Sequence, residues 1–140
     1  MLLNISNHPI NTWTAKQLDM AWQDYGQPVD FVLPNLAPNL YLSKNDILAT
    51  IRTLVPFPHI PPYFSSTKVS SLASRYAQHI AFNYPLGNFK AIHIMGEFSF
   101  THDLINRLQH YHYNCICSTT VRNNTSNEYE FFSFRAYTTL

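Results

Sequence analysis

Apolar residues along this chain fall into two alternating patterns, short unbroken runs and runs spaced three or four apart. Leu2–Ser6 (LLNIS) is an unbroken run closed by Asn7-His8-Pro9. It reads as a buried strand stopped by a proline that has no N–H to give. Leu18, Ala21, Trp22 and Tyr25 then recur at helical spacing between a capping Thr12 or Thr14 and Gly26, which predicts a helix with those four residues inward. Val29–Leu36 predicts a second strand, again ended by proline. Ser43 predicts the cap of a helix carrying Ile47, Leu48, Ile51 and Leu54. A helix over Ser70–Tyr84 with Leu72, Tyr76 and Ile80 inward, a strand over Lys90–Gly96, a helix over Phe100–His112 and a strand over Tyr113–Thr120 continue the alternation. Asn127–Thr139 alternates and is rich in aromatics, which predicts a last strand, antiparallel and at an edge.

Strands alternating with helices predict an α/β fold: one Rossmann-like domain over residues 1–140. Its sheet is expected to be mostly parallel, of about four strands, with an antiparallel C-terminal edge strand. Right-handed crossovers would place helices on both faces. The exception to the alternation is Val55–Lys68 (VPFPHIPPYFSSTK), a Pro-rich aromatic stretch too apolar for a linker. It is expected to pack on the body or on a second subunit.

Composition narrows the class. With 46% hydrophobic and 12% charged residues in 140, the chain can build one real core and is not disordered. A formal net charge of +1 argues against coating duplex nucleic acid, but leaves room for a small anion held by local donors. No run reaches the ~18 apolar residues of a membrane span, and the start MLLNIS lacks a signal peptide's basic region. Cys115 and Cys117, one residue apart, share a strand face and have no metal-type spacing, so they read as reduced core residues of a cytoplasmic protein. His79 and His93 fall in predicted buried elements and read as core or satisfied polar groups. Ten Phe, nine Tyr and two Trp are more rings than so small a domain can hide, which points to an interface.

The candidate chemistry sits at the predicted strand ends, where ligands of open parallel sheets bind. The first strand ends in Asn7-His8, the third in Gly96-Glu97 followed by Ser99 and Thr101, and the fourth in Ser118-Thr119-Thr120 followed by Arg122. Gly96 would let a backbone approach a ligand, a helix starting near Ser99 or Thr101 would offer free N–H groups, and Arg122 would pair with a phosphate. Each residue also has a plain reading: Ser99 and Thr101 as caps, Asn7-His8-Pro9 as a turn, Glu97 as a solvated carboxylate. There is no GxGxxG, no Walker loop and no GxSxG elbow. No metal or cofactor is expected.

The stretches LLNISNHP, HIMGEFSFT, CSTT with a following arginine, and FSFRAY resemble small CRISPR-associated Rossmann-fold (CARF-like) proteins and ring nucleases of type III CRISPR systems. The resemblance covers roughly half the chain, at its two ends, and is poor from Val29 to Ser71. It implies a homodimer holding a cyclic oligoadenylate across its two-fold axis, in antiviral defence. Asn7 and His8, then Gly96, Glu97, Ser99 and Thr101, then Ser118, Thr119, Thr120 and Arg122 would surround that ligand. The chain departs from the pattern in having Val121 where an acidic residue is expected before the arginine, a change that bears on the phosphate role of Arg122.

Three functions follow as expectations. The first is a metal-independent ring nuclease, in which a ribose 2′-hydroxyl attacks in line, with His8 as base or acid and Glu97 as second choice. The second is a sensor or sponge that binds the same nucleotide without cleaving it. The third is an interaction protein that uses the aromatic loop Phe57–Phe64 as its partner surface.

Overall fold

The structure, a computed structural model, describes residues 1–138. Five strands, β1 (Leu2–Ser6), β2 (Pro28–Asp30), β3 (Ala91–Met95), β4 (Cys115–Arg122) and β5 (Tyr129–Ala136), form one sheet in the order β2-β1-β3-β4-β5. β2, β1, β3 and β4 are mutually parallel, and β5 runs antiparallel beside β4 at the edge. The helices are α1 (Ala15–Asp24), α2 (Lys44–Thr50), α3 (Ser66–Asn83) and α4 (Phe98–His110). The expected α/β architecture is therefore present, with helices on both faces.

Topology explains which helix covers which face. From β1 the chain moves one strand in one direction to reach β2, then crosses back past β1 to reach β3. Crossovers of one hand must then use opposite faces. α1 packs over Leu2, Ala91 and Ile116 through Leu18, Ala21 and Tyr25, helped by Trp13 from the preceding 3-10 turn. α2, α3 and α4 cover Leu3, Ile5, Ile92, Ile94 and Cys115 on the other face, through Ile47, Leu72, Tyr76, Ile80, Phe100 and Leu104 among others. That second face carries most of the buried apolar area and hence most of the driving force.

Local signals set the element ends. Thr14, Ser43 and Ser65 accept a backbone N–H at the starts of α1, α2 and α3; Ser43 and Asp46 form a reciprocal capping box. Several boundaries differ from expectation. β2 is three residues long, because the chain turns away from the sheet after Asp30. α2 stops at Thr50, leaving Leu54 fully exposed, and Trp22 is turned outward on α1. α3 begins earlier than expected, at Ser66, capped by Ser65. β4 and β5 extend beyond the rest of the sheet as a hairpin with a bulge between Thr119 and Thr120. Thr139, at the end of the expected last strand, lies outside the described residues. Among the described residues no helix is long and apolar enough to cross a membrane.

The Pro-rich stretch packs on the body. Phe57 is buried, and Val55, Ile60 and Phe64 pack against the main core, while Tyr63 stays exposed. The Phe57 ring meets Phe100 edge-on at 5.5 Å and lies directly over Gly96, where a Cβ would come within 2.3 Å of it.

Candidate functional site

In this strand order the connections leave β1 in opposite directions, so a crevice opens beyond the carboxyl ends of β1 and β3. The two ends are stitched together there by the Asn7 N–H donating to the Met95 carbonyl. A pocket of about 340 Å³ occupies this place, lined by Asn7, Arg52, Thr53, Phe57, Pro58, His59, Ile60 and Glu97. It is within the size range of small-molecule sites. Arg52 and Thr53 follow the end of α2, and the His59 N–H donates to the Thr50 carbonyl, which fixes the loop against that helix end. The seating of Phe57 on Gly96 holds the same loop over the strand tips.

Glu97 is spoken for. It is the N-cap of α4: its carboxylate accepts from the N–H groups of Ser99 and Phe100 and from the Ser99 hydroxyl at 2.6 Å. Burial works to raise its pKa, but those donors outweigh it and hold the carboxyl below the usual carboxylate range. The α4 N-terminus therefore already holds an anion from its own chain. α4 does start beside Ser99, at Phe98, but this corrects the expectation that its N–H groups are free for a ligand. Ser99 serves the cap, and Thr101 is turned into the body, buried, its hydroxyl without a partner among the described residues. Gly96 is likewise covered by Phe57 instead of being open to a ligand.

Asn7 and His8 follow the end of β1; Asn7 lines that pocket, whereas the His8 carbonyl is turned to the α1 face. The His8 ring is exposed, and its charge is felt by His93 on the α1 face. Beneath it lies a polar network set into that face. Asn4 and Ser6 are fully buried on β1, and His93 is buried beside Asn4 on β3. The Asn4 amide donates to the Asp30 carboxylate and to the His8 carbonyl, both at 2.9 Å, and the Trp13 indole donates to the same carbonyl. His93 bridges Asn4 at 2.9 Å and Ser118 at 2.7 Å, and Gln17 of α1 donates to the Ser118 hydroxyl. Burial, with the charge of His8, pushes the His93 imidazole down to about 3, so the ring is neutral near pH 7. His93 is thus a satisfied buried polar group, as its place in the sequence suggested.

The fourth strand end is placed differently from the other two. Register puts Ser118 level with the end of β3, and β4 runs on beyond it. Thr119 spends its hydroxyl on Ser133 across the hairpin, Thr120 follows the bulge, and Arg122 pairs with Asn127 of its own turn. None of these four lines the pocket that holds Asn7 and Glu97. The single mouth expected from three strand ends is instead two compartments, with Asn7 and Glu97 on one side of the sheet edge and His8 and Ser118 on the other.

Arg52, Thr53 and His59 were not singled out from the sequence. Their signal was present as two basic residues in an otherwise uncharged, Pro-rich stretch (Arg52–Pro62). A larger groove of about 650 Å³ lies along the outer side of α3, but its two guanidinium groups are committed: Arg75 to the Ala37 carbonyl, Arg107 to Asp103 and Ser70. Among the described residues no group of three or more His, Cys, Asp or Glu side chains comes together as a metal site.

The chain belongs to the family described as the Uncharacterized protein MJ1673 family, whose model matches residues 1–132. No curated protein and no solved structure matches it.

Proposed function

We propose that this protein binds a phosphodiester-bearing nucleotide at the carboxyl edge of β1 and β3, and that the nucleotide is a cyclic oligoadenylate, which it cleaves without a metal. The observation that carries the binding site is the pocket at the strand-order switch, whose lining brings together Arg52, His59 and Asn7. A guanidinium and an amide in one lining can hold a phosphate by charge-assisted hydrogen bonds, the Glu97 carboxylate of the same pocket being engaged by the α4 N-terminus. The volume accommodates about one nucleotide unit per chain. A cyclic ligand larger than that would need a second copy to complete its cradle, which is the homodimer the motif resemblance implies. The choice of cyclic oligoadenylate rests on that resemblance.

Thermal-shift measurements with a panel of cyclic oligoadenylates, linear oligonucleotides and mononucleotides test the reading, with chromatography of the products. A cyclic oligoadenylate should raise the melting temperature of the wild type, and Arg52→Ala should remove most of that rise. A panel that leaves the melting temperature unmoved refutes the proposal.

The binding-only alternative, a sensor or sponge, draws support from Glu97. A carboxylate tied down by three donors and kept ionised has no proton to give and little basicity. Intact ligand recovered after long incubation would favour it. The interaction-protein reading loses ground, because Phe57 and Phe64 are turned to the core and Tyr63 alone of the loop's Phe and Tyr rings stands exposed.

A further inference from the structure

We propose that a second pocket, adjoining the one that holds the phosphate, takes a base of the same ligand, and that Asn35 reads this base as adenine. This rests on the nucleotide-binding reading above and names a further part of its site. The second pocket has a volume of about 460 Å³. One wall is the chain from the end of β2 to Asn35, and the other is Ile51 and Thr53–Pro56, the chain that leaves α2. Thr53 belongs to the linings of both pockets. Arg52, one residue before it, lines the phosphate pocket, and Leu54, one residue after it, lines the second. One short segment therefore serves both.

The sheet puts the two pockets side by side. The first is lined by Asn7 and Glu97, after β1 and β3, and the second by Asp30 and Pro9, at the end of β2 and after β1. In the order β2-β1-β3 they are neighbours along the carboxyl edge. Strands lie about 4.8 Å apart, so the ends of β2 and β3 are separated by about 10 Å. A phosphodiester joins two nucleosides. With the phosphate at Arg52, one ribose can carry its base past Thr53 into the second pocket.

The linings differ as the two parts of a nucleotide do. The second pocket has nine apolar residues among its twelve and no cation, so a phosphate finds no counter-charge there. Its one carboxylate, Asp30, already accepts from the Asn4 amide at 2.9 Å and from the Ile10 N–H at 3.1 Å. Val32 is 72% exposed and Leu54 fully exposed, although Phe31, Pro34 and Pro56 of the same lining are buried. Single exposed aliphatics are ordinary, but two in one pocket beside a guanidinium gain burial together when a flat ring covers them. The polar groups that remain suit a base edge. Thr53 Oγ accepts from the Val55 N–H at 3.2 Å and keeps its proton to donate. The exposed Asn35 amide offers a donor and an acceptor side by side. Adenine presents the matching pair, N7 and the N6 amino group. Guanine presents two acceptors, N7 and O6, and would set one against the Asn35 oxygen.

Binding of cyclic oligoadenylates, oligoguanylates and oligouridylates is titrated calorimetrically on wild type, Asn35→Ala, Arg52→Ala and the double variant Val32→Ser/Leu54→Ser. All four positions are exposed, so the variants should fold, and the neutral serines do not repel phosphate. Wild type should hold the adenylate ring about tenfold or more tighter than the other two. The double variant should lose about tenfold or more in adenylate affinity and bring the three rings together, while Asn35→Ala should reduce the preference over guanylate most. A double variant within a few-fold of wild type overturns the subsite; if Arg52→Ala still abolishes binding, the phosphate pocket stands. A wild type that binds all three rings equally, or guanylate best, also overturns it. A wild type that binds none of the rings removes the subsite and the nucleotide reading together.

Discussion

Gly96→Ala sets two effects of opposite sign against each other. Gly96 does not have a left-handed backbone, so on chain entropy alone an added methyl should stabilise the fold by about 0.4–1 kcal/mol. But the new Cβ would sit 2.3–2.5 Å from three atoms of the Phe57 ring, against roughly 3.4 Å or more for an ordinary contact. That ring is 2% exposed and braced edge-on against Phe100, which in turn meets Tyr76, so it cannot swing aside cheaply. Overpacking of this kind costs about 1–3 kcal/mol, which outweighs the entropic gain. A net loss of about 1–2 kcal/mol lowers the melting temperature by roughly 3–10 °C in a domain of this size. Calorimetry or urea titration on the four proteins of a double-mutant cycle with Phe57→Ala checks it. Phe57→Ala alone should cost about 3–5 kcal/mol by opening a cavity. In that background Gly96→Ala should become neutral or stabilising, because nothing is left to strike. A Gly96→Ala protein as stable as wild type, or an equal cost in both backgrounds, would refute the packing account of this glycine.

Acid should unfold the protein through identifiable groups. The Lys68 side-chain hydrogen bond, followed by the Ser43 N–H, holds the Asp46 carboxyl below its ordinary 3.8, and Glu97 is held below its ordinary 4.5. Folded values below unfolded ones mean stability present above those ordinary values and lost as pH falls through the folded ones, so Asp46→Asn and Glu97→Gln should each flatten the acid limb of a pH–stability curve below about pH 4.5. His93 acts higher: with its imidazole pushed from 6.5 to about 3, the unfolded chain binds the extra proton across that window, and stability should fall on acidification from pH 6.5. The slope it adds is at most about 1.4 kcal/mol per pH unit, and His93→Gln should remove it in urea titrations at stepped pH.

Much of the fold was legible because its signals are local. Capping Ser and Thr residues, the proline after β1 and the apolar runs of β1, β3 and β4 each act within a few residues, and those elements appear within a few residues of where they were expected, whereas β2 ends well short of its proline. The site was legible only in part, since side-chain direction at a strand tip is a tertiary matter. Asn7 and Glu97 do line one pocket, yet Glu97 turns back onto Ser99 and Phe100, a choice that depends on α4 starting two residues earlier than its apolar periodicity suggests. Arg52 and His59 reach the site because Phe57 seats on Gly96, a contact 39 residues apart along the chain that no spacing rule encodes. Thr120 and Arg122 leave the rim because β4 pairs with β5 beyond the end of β3, and a strand's length past its neighbour is set by its partner.

The two faces of the sheet differ in what they bury. Toward α2, α3 and α4, residues Leu3, Ile5, Ile92 and Ile94 form an apolar surface continuous with the helices. Toward α1, the same strands carry Asn4, Ser6 and His93 at positions that could as well have held aliphatic groups. Three buried polar side chains on adjacent strands cost desolvation, and their mutual hydrogen bonds return only about 1 kcal/mol each in net terms. Packing alone would therefore favour replacing the set by Val and Leu. What the set does that aliphatics could not is order groups at the rim: Asn4 and Ser6 hold the His8 carbonyl, and His93 orients the Ser118 hydroxyl. Both outputs emerge at the carboxyl edge of the sheet, beside the strand-order switch. An aliphatic set would leave the turn after β1 and the Ser118 hydroxyl without these partners, so the polar groups trade core stability for a fixed rim.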